Sequence, residues 1–270
     1  MFRGLYTAWT GMANEQKRLD VISNNMANSN TVGYKDEKVA SQAFDQVLGI
    51  KIRDGSQAYH NECIGSLSLG VKIGETYTDY SQGSVRQTGG TYDLALSGSG
   101  FFTVSVTDKA GEVHTRYTRD GRFHLTKDGL LVDADGNAVQ GQNGNITIDP
   151  SSKNVSISAT GQITADGELV DTLNIVDFED YDYLKKYGDT MYEPVDGATT
   201  KDAEGEILQG YTEQSNVNVV REMVDMITIT RAYEASQKVI HSYDSMLDKS
   251  VNQVGAVSYT HLTLPTNSLV

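Results

Sequence analysis

The side chains of this chain that are able to do chemistry do not form a recognisable catalytic set. His60, Glu62 and Cys63 fall in the short stretch YHNEC, and imidazole, carboxylate and thiolate groups are all zinc ligands. Adjacent ligands in one loop rarely converge tetrahedrally, and no second ligand pair follows at a recognisable spacing. We therefore interpret YHNEC as part of a solvated loop and predict no metal site there.

A second group imitates the start of a calcium loop. Asp133, Asp135 and Asn137 have the spacing of the first three ligands of an EF-hand. Ala138 stands where that loop needs glycine, and Gly144 stands where it needs a bidentate glutamate. The segment is therefore predicted to be a hairpin turn.

Two further patterns are interpreted in the same way. The triplet Gly98-Ser99-Gly100 lacks the third glycine and the following helix of a dinucleotide loop, so we expect it to bend the chain into a strand at Phe101. Four carboxylates are dense enough to predict an acidic surface instead of an acid–base pair: Asp177, Glu179, Asp180 and Asp182.

Two histidines are further candidates for active-site residues. His114 and His124 lie about one hairpin apart and are expected to be strand neighbours. No serine or cysteine nucleophile accompanies them in a known motif. The sequence thus predicts no catalytic residues, no metal, no cofactor and no small-molecule substrate.

The elements that would have to position such residues begin with a helix at each end. Seven-residue spacing keeps one stripe of a helix facing a partner helix, which is the condition for coiled-coil packing. Trp9 and the methionines on these helices are expected in a core or an interface, not in a ligand pocket. The residues with this spacing, with Ala8 and Ile22 as partial companions, are Leu5, Met12, Leu19 and Met26 in the first helix and Met226, Tyr233, Ile240, Leu247 and Val254 in the second.

The limits of the two helices follow from polar clusters. The first helix is predicted over residues 3–28, and the second from Asn216 or Asn218, either of which is a fair N-cap, to Val254. Residues 35–50 are expected to be a short helix or an extended arm, and residues 51–66 a loop.

The middle of the chain has a different period. From about Leu67 apolar and polar residues alternate, and the segment Phe101 to Val106 continues that style. Turn pairs such as Asp120-Gly121 and Asn143-Gly144 recur between these segments. Short strands at such spacing predict an all-β sandwich or barrel-like domain.

The predicted fold class is therefore α+β, with long N- and C-terminal helices pairing as a coiled coil and a central all-β domain. The predicted segments are residues 1–33 with 216–255 as a discontinuous helical domain, 34–66 as a linker or intermediate arm, and 67–215 as the β domain. Residues 256–270 are interpreted as a tail that derives from a sequencing adapter, because VSYTHLTLPT can be back-translated to match one.

Charge and composition narrow the function. Residues 34–210 carry −13 of the net charge of −14, which argues against nucleic-acid binding because that needs concentrated Lys and Arg. No apolar run approaches a membrane span of about 20 residues, and the N-terminus lacks the apolar core of a cleaved signal peptide. The single cysteine, Cys63, excludes an internal disulfide framework.

Several long motifs resemble the bacterial flagellar rod and hook axial proteins. The N-terminal stretch ends in NN-x-AN-x-x-T-x-GYK, whose motif residues are Asn24, Asn25, Ala27, Asn28, Thr31, Gly33 and Tyr34. DLALSGSGFFTV and YTRDGRFHLTKDGLLVDADGNAVQG are similar to β-domain signatures of the family, and QGYTEQSNVNVVREMVDMITITRAYEASQKVI to its C-terminal motif. These stretches keep the family's order over about residues 1–255.

The resemblance implies a structural subunit of the flagellar basal-body rod, of the types designated F and G, with QGYTEQSNVNV favouring the distal rod. It implies a helical homopolymer that transmits torque to the hook, with neighbouring rod and hook proteins as partners. It also implies export across the cytoplasmic membrane through the flagellar type III apparatus, without a cleaved signal. The heptad residues, with Ile22, are then the expected assembly interface.

Two other functions stay open at this point. A secreted, β-rich surface adhesin or effector that oligomerises through its terminal helices would not require the ordered terminal motifs. An enzyme of the β-sandwich type would require a deep pocket with clustered titratable groups, and the sequence offers none.

Overall fold

The computed structural model describes residues 2–51, 62–108 and 111–254. Helix α1 spans Phe2–Ala27 and helix α2 spans Val219–Lys249, which a π-helical turn at Ser250–Val254 follows. The backbone N–H of Arg221 donates to Asn218 Oδ1 over 3.2 Å, so Asn218 is the N-cap of α2.

The residues between the two helices form short strands and one 3₁₀ turn at Tyr181–Tyr183. The strands are β1 Glu37–Ala43, β2 Val47–Lys51, β3 Glu62–Leu67, β4 Val71–Thr78, β5 Val85–Gln87, β6 Leu94–Ser97, β7 Phe101–Thr107, β8 Val113–Thr118, β9 His124–Leu125, β10 Leu131–Val132, β11 Ala138–Gly141, β12 Gly144–Asn145, β13 Val155–Ile157, β14 Gln162–Ala165, β15 Glu168–Thr172, β16 Ile175–Phe178, β17 Leu184–Tyr187, β18 Met191–Pro194, β19 Thr200–Asp202, β20 Glu206–Gln209 and β21 Tyr211–Glu213.

The chain divides into two compact units. The first comprises residues 1–20, 39–75 and 226–270, and the second comprises residues 21–38 and 76–225. In the first unit β2 pairs with β3 in antiparallel register. The hydroxyl of Ser41 donates to Asn14 Oδ1 over 3.0 Å, and that of Thr7 lies 3.1 Å from the carbonyl oxygen of Leu69. Strand β1 and the turn before β4 thus contact α1 through polar groups.

The second unit is built on one large sheet. Its main path runs β17-β18-β8-β7-β11-β10-β9, and β16 pairs with the start of β7, where Ile175 lies opposite Phe102. Because successive side chains of a strand point to opposite faces, Phe101 and Phe102 enter two different cores. Phe102 packs with mostly aliphatic residues and edge-on against Phe123, whereas the Phe101 ring lies 5.5 Å from the ring of Tyr192 in an edge-on arrangement.

Two short pairings place the segment before α2 beside the sheet. Strand β20 pairs with β6, and β21 pairs with β5. In the second pairing Glu213 lies opposite Val85. Strand pairing thus fixes the position of the Glu213 carboxylate.

The predicted fold class, with long terminal helices paired as a coiled coil around a central all-β domain, is wrong. The described residues contain two α-helices and a central region that is mostly β-sheet, and they do not show long helices wound as a coiled coil. The buried side chains of α1 include the polar Thr10, Asn14 and Asn25. A Cβ on Gly4 would collide with the Tyr243 hydroxyl, so a glycine face of α1 meets α2. Heptad spacing marks an apolar stripe, but it did not identify the face of α1 that meets α2.

Other expectations had mixed outcomes. The stretch 35–50 is extended and contains β1 and β2, which agrees with an arm and not with a helix. The loop predicted over residues 51–66 is wrong where β3 begins at Glu62, and its residues 52–61 lie outside the described part. The proposed adapter tail, 256–270, lies outside it as well. Among the described residues, no helix is long and apolar enough to cross a membrane.

Candidate functional site

The residues predicted to form an assembly interface lie along both helices and are only partly covered. The half-buried side chains are Leu5, Met12, Leu19, Ile22, Met26, Met226, Tyr233, Ile240 and Leu247. Val254 lies in the π-helical turn, and its side chain is outside the described part of the chain. These helices therefore keep apolar surface that a single chain leaves in water.

The sequence motif that follows these residues ends α1 and turns the chain towards β1. Ala27 is the last residue of the helix. Thr31 donates its hydroxyl to Asn28 Oδ1 over 3.0 Å, and Asn28 donates its side-chain amide to the carbonyl oxygen of Asn24 over 3.2 Å. The Asn24 carbonyl also accepts the backbone N–H of Asn28 over 3.0 Å, so the side-chain bonds reinforce the last turn of the helix.

Gly33 is required at the turn by its conformation and by its surroundings. Its φ is 72°, in the left-handed region that favours glycine. A Cβ at this position would collide with the backbone of Arg119 and Asp120. The N–H of Gly33 also donates to the carbonyl oxygen of Glu213 over 2.9 Å. The turn is therefore pressed against two other segments of the second unit.

Tyr34 is fully buried beside the end of the helix. Its hydroxyl oxygen lies 2.7 Å from Asn24 Oδ1 and 3.0 Å from Asn25 Oδ1. Burial raises the pKa of Tyr34 well above its ordinary value, so the hydroxyl stays protonated as a donor. Lys186 Nζ lies 4.0 Å from the centroid of the Tyr34 ring and so covers one face of it. The same nitrogen lies 3.1 Å from Glu37 Oε1.

Three buried charged side chains meet next to this turn. Lys35 Nζ lies 2.6 Å from Glu213 Oε1, and Arg119 Nη1 lies 3.3 Å from Glu213 Oε2. The side chains of Lys35, Glu213 and Arg119 are 1%, 0% and 4% exposed. Gly83 donates its N–H to Glu213 Oε1 over 2.9 Å, and Lys35 donates to the carbonyl oxygen of Ser81 over 2.8 Å. Burial lowers the pKa of Lys35, and the Glu213 carboxylate opposes that shift.

A second polar group joins the end of α1 to the first turn of α2. Asn25 Nδ2 donates to Asp36 Oδ1 over 2.6 Å and lies 3.5 Å from Glu222 Oε2. Asn216 Oδ1 accepts from the N–H of Asp36 over 2.8 Å, and its amide donates to the carbonyl oxygen of Asp79 over 2.8 Å. Burial raises the pKa of Asp36 and of Glu222, and the Asp36 charge raises that of Glu222 further.

These raised pKa values predict an unusual pH dependence. Because the folded protein binds protons that the unfolded chain has released, the Asp36 and Glu222 pair should make the protein less stable as pH rises above the ordinary carboxyl pKa of about 4, and the comparison spans about pH 4 to about pH 7. In Asp36→Asn the fall of the urea midpoint over this interval should be smaller than in the wild type. Unfolding curves followed by circular dichroism at both pH values measure the difference.

Asp79 supplies the matched control for that experiment. Hydrogen bonds from Lys38 and Ser81 lower its pKa to about 2, so it is ionised throughout the interval. Asp79→Asn should therefore change the pH slope less than Asp36→Asn does, because Asp79 acts on the slope only through the charge that helps to raise the pKa of Asp36. A wild-type slope in Asp36→Asn would refute the assignment of the pH dependence to the buried pair.

The histidines and the metal-like patterns do not form a site in the described residues. His114 lies on β8 opposite Val106, and His124 lies on β9 opposite Val132, so the expectation that they are strand neighbours is wrong. His60 of the YHNEC stretch is outside the described part of the chain. Among the described residues, no group of three or more His, Cys, Asp or Glu side chains is arranged to hold a metal ion.

Of the two predictions for acidic segments, the turn at Asp133 is correct and the acidic surface around Asp177 is partly wrong. Asp133 Oδ1 accepts the N–H groups of Asp135 and Asn137 at 2.9 and 2.8 Å and so closes the predicted turn between β10 and β11, which is confirmed. The acidic surface predicted around residue 177 is wrong for Asp177 itself. That side chain is buried, and Tyr181 donates its hydroxyl to it over 2.8 Å.

Glu213 and Arg119 were not singled out from the sequence, and Asn216 was singled out only as a possible N-cap of the second helix. Glu213, Asn216 and Glu222 stand in QGYTEQSNVNVVRE, and Arg119 stands in YTRDGRF. Both stretches carry the family resemblance, which was the available signal. Their partners lie far away along the chain, and this is why no local pattern assigns them a role.

Three family descriptions match successive parts of the chain. "Flagella basal body rod protein" matches residues 5–35, "Flagellar hook protein FlgE/F/G D1 domain" matches residues 95–165, and "Flagellar basal body rod FlgEFG protein C-terminal" matches residues 208–254. The first and last of these ranges contain the two sides of the polar site, Asn25 with Lys35 and Glu213 with Glu222.

Curated relatives match over nearly the whole chain. The flagellar basal-body rod protein FlgG of Bacillus subtilis is 34% identical over 93% of this chain and 99% of its own length. FlgG of Caulobacter vibrioides is 36% identical over 91% of this chain and 97% of its own, and FlgF of that organism is 32% identical over 96% and 100%.

Relatives of this kind form a structural family and not a class of enzymes, and they give no support to the adhesin alternative. They place the protein in the flagellar basal body together with other proteins of that assembly. The chain belongs to the flagellar basal-body rod protein family and is a structural subunit of the rod.

Proposed function

We propose that the subunit polymerises with copies of itself into the helical shaft of the rod and that this shaft transmits torque to the hook. The observation that carries the proposal is the half-burial of the apolar residues along both helices, from Leu5 to Met26 and from Met226 to Leu247. Apolar surface of this extent is stabilised when neighbouring copies cover it.

The distribution of charge supports the same proposal. The first unit holds nine basic and nine acidic side chains, whereas the second unit holds 13 basic and 27 acidic ones. Copies repel one another where the charge is of one sign and pack more readily where the two signs balance. The first unit is therefore the part suited to close packing of many copies.

Each segment is proposed to have its own place in the assembled rod. Residues 1–33 with 216–255 form the axial part, residues 34–66 the arm that reaches adjacent subunits, and residues 67–215 the outer wall. The motif from Asn24 to Tyr34 joins the axial part to the wall. We assign the subunit to the distal rod on the resemblance of QGYTEQSNVNV, with other rod and hook proteins as its neighbours.

Delivery to the rod is proposed to occur through the flagellar type III export apparatus, in an unfolded state and without a cleaved signal. The single cysteine supports this route, because no internal disulfide has to form or break during passage. Purified basal bodies are expected to contain the full-length protein with Met1 intact. A shortened N-terminus would contradict it.

The assembly proposal predicts a strong effect of a charge in the helical stripe. Leu19→Asp should lower the yield of sedimentable polymer by about tenfold or more, because leaving one leucine contact unmade costs about 1.5–3 kcal/mol. Ultracentrifugation of the full chain over a concentration series, with electron microscopy of the pellets, measures the yield. Motility of a deletion strain that carries the variant tests the consequence in cells.

Leu169→Asp is the matched control, since Leu169 is an exposed leucine of β15 in the acidic second unit. It should polymerise as the wild type does. Wild-type polymer from Leu19→Asp, with its helix content preserved in circular dichroism, would refute the helical stripe as an assembly interface.

A further inference from the structure

A cleft of about 300 Å³ lies on one face of the large sheet in the second unit. Strands β7 and β18 contribute to its lining, together with the turn between β17 and β18 and the turn between β10 and β11. A volume of this size is at the lower end of the range of ligand pockets. The residues that line the cleft include Val106, Asp135, Asn137, Tyr187, Asp189 and Met191.

Arg116 of β8 projects to the same face of the sheet as this cleft. Residues that lie directly opposite each other in paired strands point to one face, and alternate residues of a strand share a face. His114 lies opposite Val106, and Thr118 lies opposite Met191. Arg116 stands between His114 and Thr118 on β8, so its side chain leaves the sheet between two residues that line the cleft.

The guanidinium of Arg116 is buried without acceptors for two of its nitrogens. The residue is 5% exposed, and within the described part of the chain Nε and Nη1 have no hydrogen-bond partner. Buried polar groups are normally paired, because leaving water without a partner costs free energy. Arg116 therefore offers hydrogen-bond donors for which the folded chain supplies no acceptor.

Tyr187 connects Arg116 to the cleft. The Arg116 Cζ lies 3.1 Å from the centroid of the Tyr187 ring, so the guanidinium covers one face of the ring. The residue is nevertheless 45% exposed and lines the cleft. The ring therefore has a second face that is open to a ligand.

The other polar side chains of the lining are mainly acceptors. Asp135 and Asp189 are exposed carboxylates. Asn137 donates its amide to Asp133 Oδ2 over 3.0 Å, so its remaining polar atom is the acceptor Oδ1. A ligand must then donate to these oxygens and accept from Arg116, and a hydroxyl group does both. Two carboxylates against one guanidinium disfavour an anionic ligand.

We propose that this cleft binds a neutral oligosaccharide, with one sugar ring stacked on the open face of Tyr187 and its hydroxyl groups bonded to Arg116 and to the carboxylates. The C–H groups of a sugar ring carry a small positive charge, and the face of an aromatic ring is negative. A peptide backbone also has donors and acceptors, but it does not present a flat C–H face to the ring. The inference does not depend on self-polymerisation.

Met191 reports on the occupancy of the cleft, because it is part of the lining. The full chain, dilute and isotope-labelled at its methionine methyl groups, is titrated with cellotriose, maltotriose and chitotriose in turn, and Met191→Leu assigns the resonance. At least one of these sugars should shift the Met191 signal in a saturable manner. The signal of Met12, which belongs to the first unit, should stay in place.

Variants of the lining test the roles of the individual side chains. Tyr187→Ala should abolish binding, and Asp135→Ala should weaken it several-fold. Arg116→Met should weaken it by about tenfold, because hydrogen bonds from a charged donor are about twice as strong as neutral ones. Tyr183→Ala is the matched control and should bind as the wild type does, since Tyr183 has a similar exposure of 44% and lies on the 3₁₀ turn outside the cleft.

Three results would overturn the proposal. The first is a Met191 signal that none of the three sugars moves up to their solubility limits. The second is full-strength binding in both Tyr187→Ala and Asp135→Ala, two changes at exposed residues that leave the fold intact in circular dichroism. The third is a Met191 shift with triglycine amide and with no sugar, which would identify a peptide backbone as the ligand. The yield of polymer enters none of these readouts, so failure here leaves the assembly proposal standing.

Discussion

Replacing Glu213 by Gln is expected to lower the free energy of unfolding by about 3–5 kcal/mol, because it leaves buried cations without their anion. Lys35 and Arg119 both bond to this carboxylate, and their side chains are 1% and 4% exposed. No solvent is available to replace the lost charge. Urea denaturation of the full chain at neutral pH, followed by circular dichroism, measures the loss.

An exposed ion pair of α1 provides the control. Arg18 lies 3.1 Å from Glu15 one turn away, and its side chain is 41% exposed. Arg18→Ala should cost no more than about 1 kcal/mol, since solvent-exposed pairs contribute little. If Glu213→Gln costs as little as Arg18→Ala, the buried cluster does not stabilise the fold.

Gly33→Ala is expected to have an effect of similar size. The left-handed conformation costs an L-residue about 1–2 kcal/mol, and forcing a methyl group into packed atoms adds about 1–3 kcal/mol. Both terms apply here, because φ is 72° and the new Cβ would collide with the backbone of Arg119 and Asp120. This backbone segment is unable to rotate away as a side chain would.

Gly136→Ala separates the two contributions. Gly136 also has a positive φ, of 88°, but a Cβ there would meet nothing within 4 Å. It should lose only the conformational part, about 1–2 kcal/mol. Equal losses in the two variants would show that the close approach of Gly33 to the second unit's other segments is unimportant. Thermal or urea unfolding of both variants provides the comparison.

Several local elements could be predicted from the sequence because their causes are local. The polar cluster after Ala27 ends α1, and Asn218 caps α2. The alternating segment from Phe101 to Val106 lies within β7, and Asp133 closes the turn that its own spacing suggested. Each depends on groups a few residues apart, which a single sequence displays directly.

The partners of the terminal helices could not be predicted in this way. The heptads of Leu5 to Met26 and of Met226 to Leu247 suggested a coiled coil, but these residues are half-buried and the face of α1 that meets α2 carries Gly4 and Gly11. A periodic stripe shows that a helix face is apolar. It does not show what covers it, because that depends on every other surface in the assembly.

The sequence by itself determined the family, the ends of the helices and the motif from Asn24 to Tyr34. Only the tertiary structure decided that Lys35 meets a carboxylate 178 residues away and that Asn25 lies between Asp36 and Glu222. Burying a charge is tolerated only where its partner is also buried, and that condition is met by the whole fold and by no local pattern.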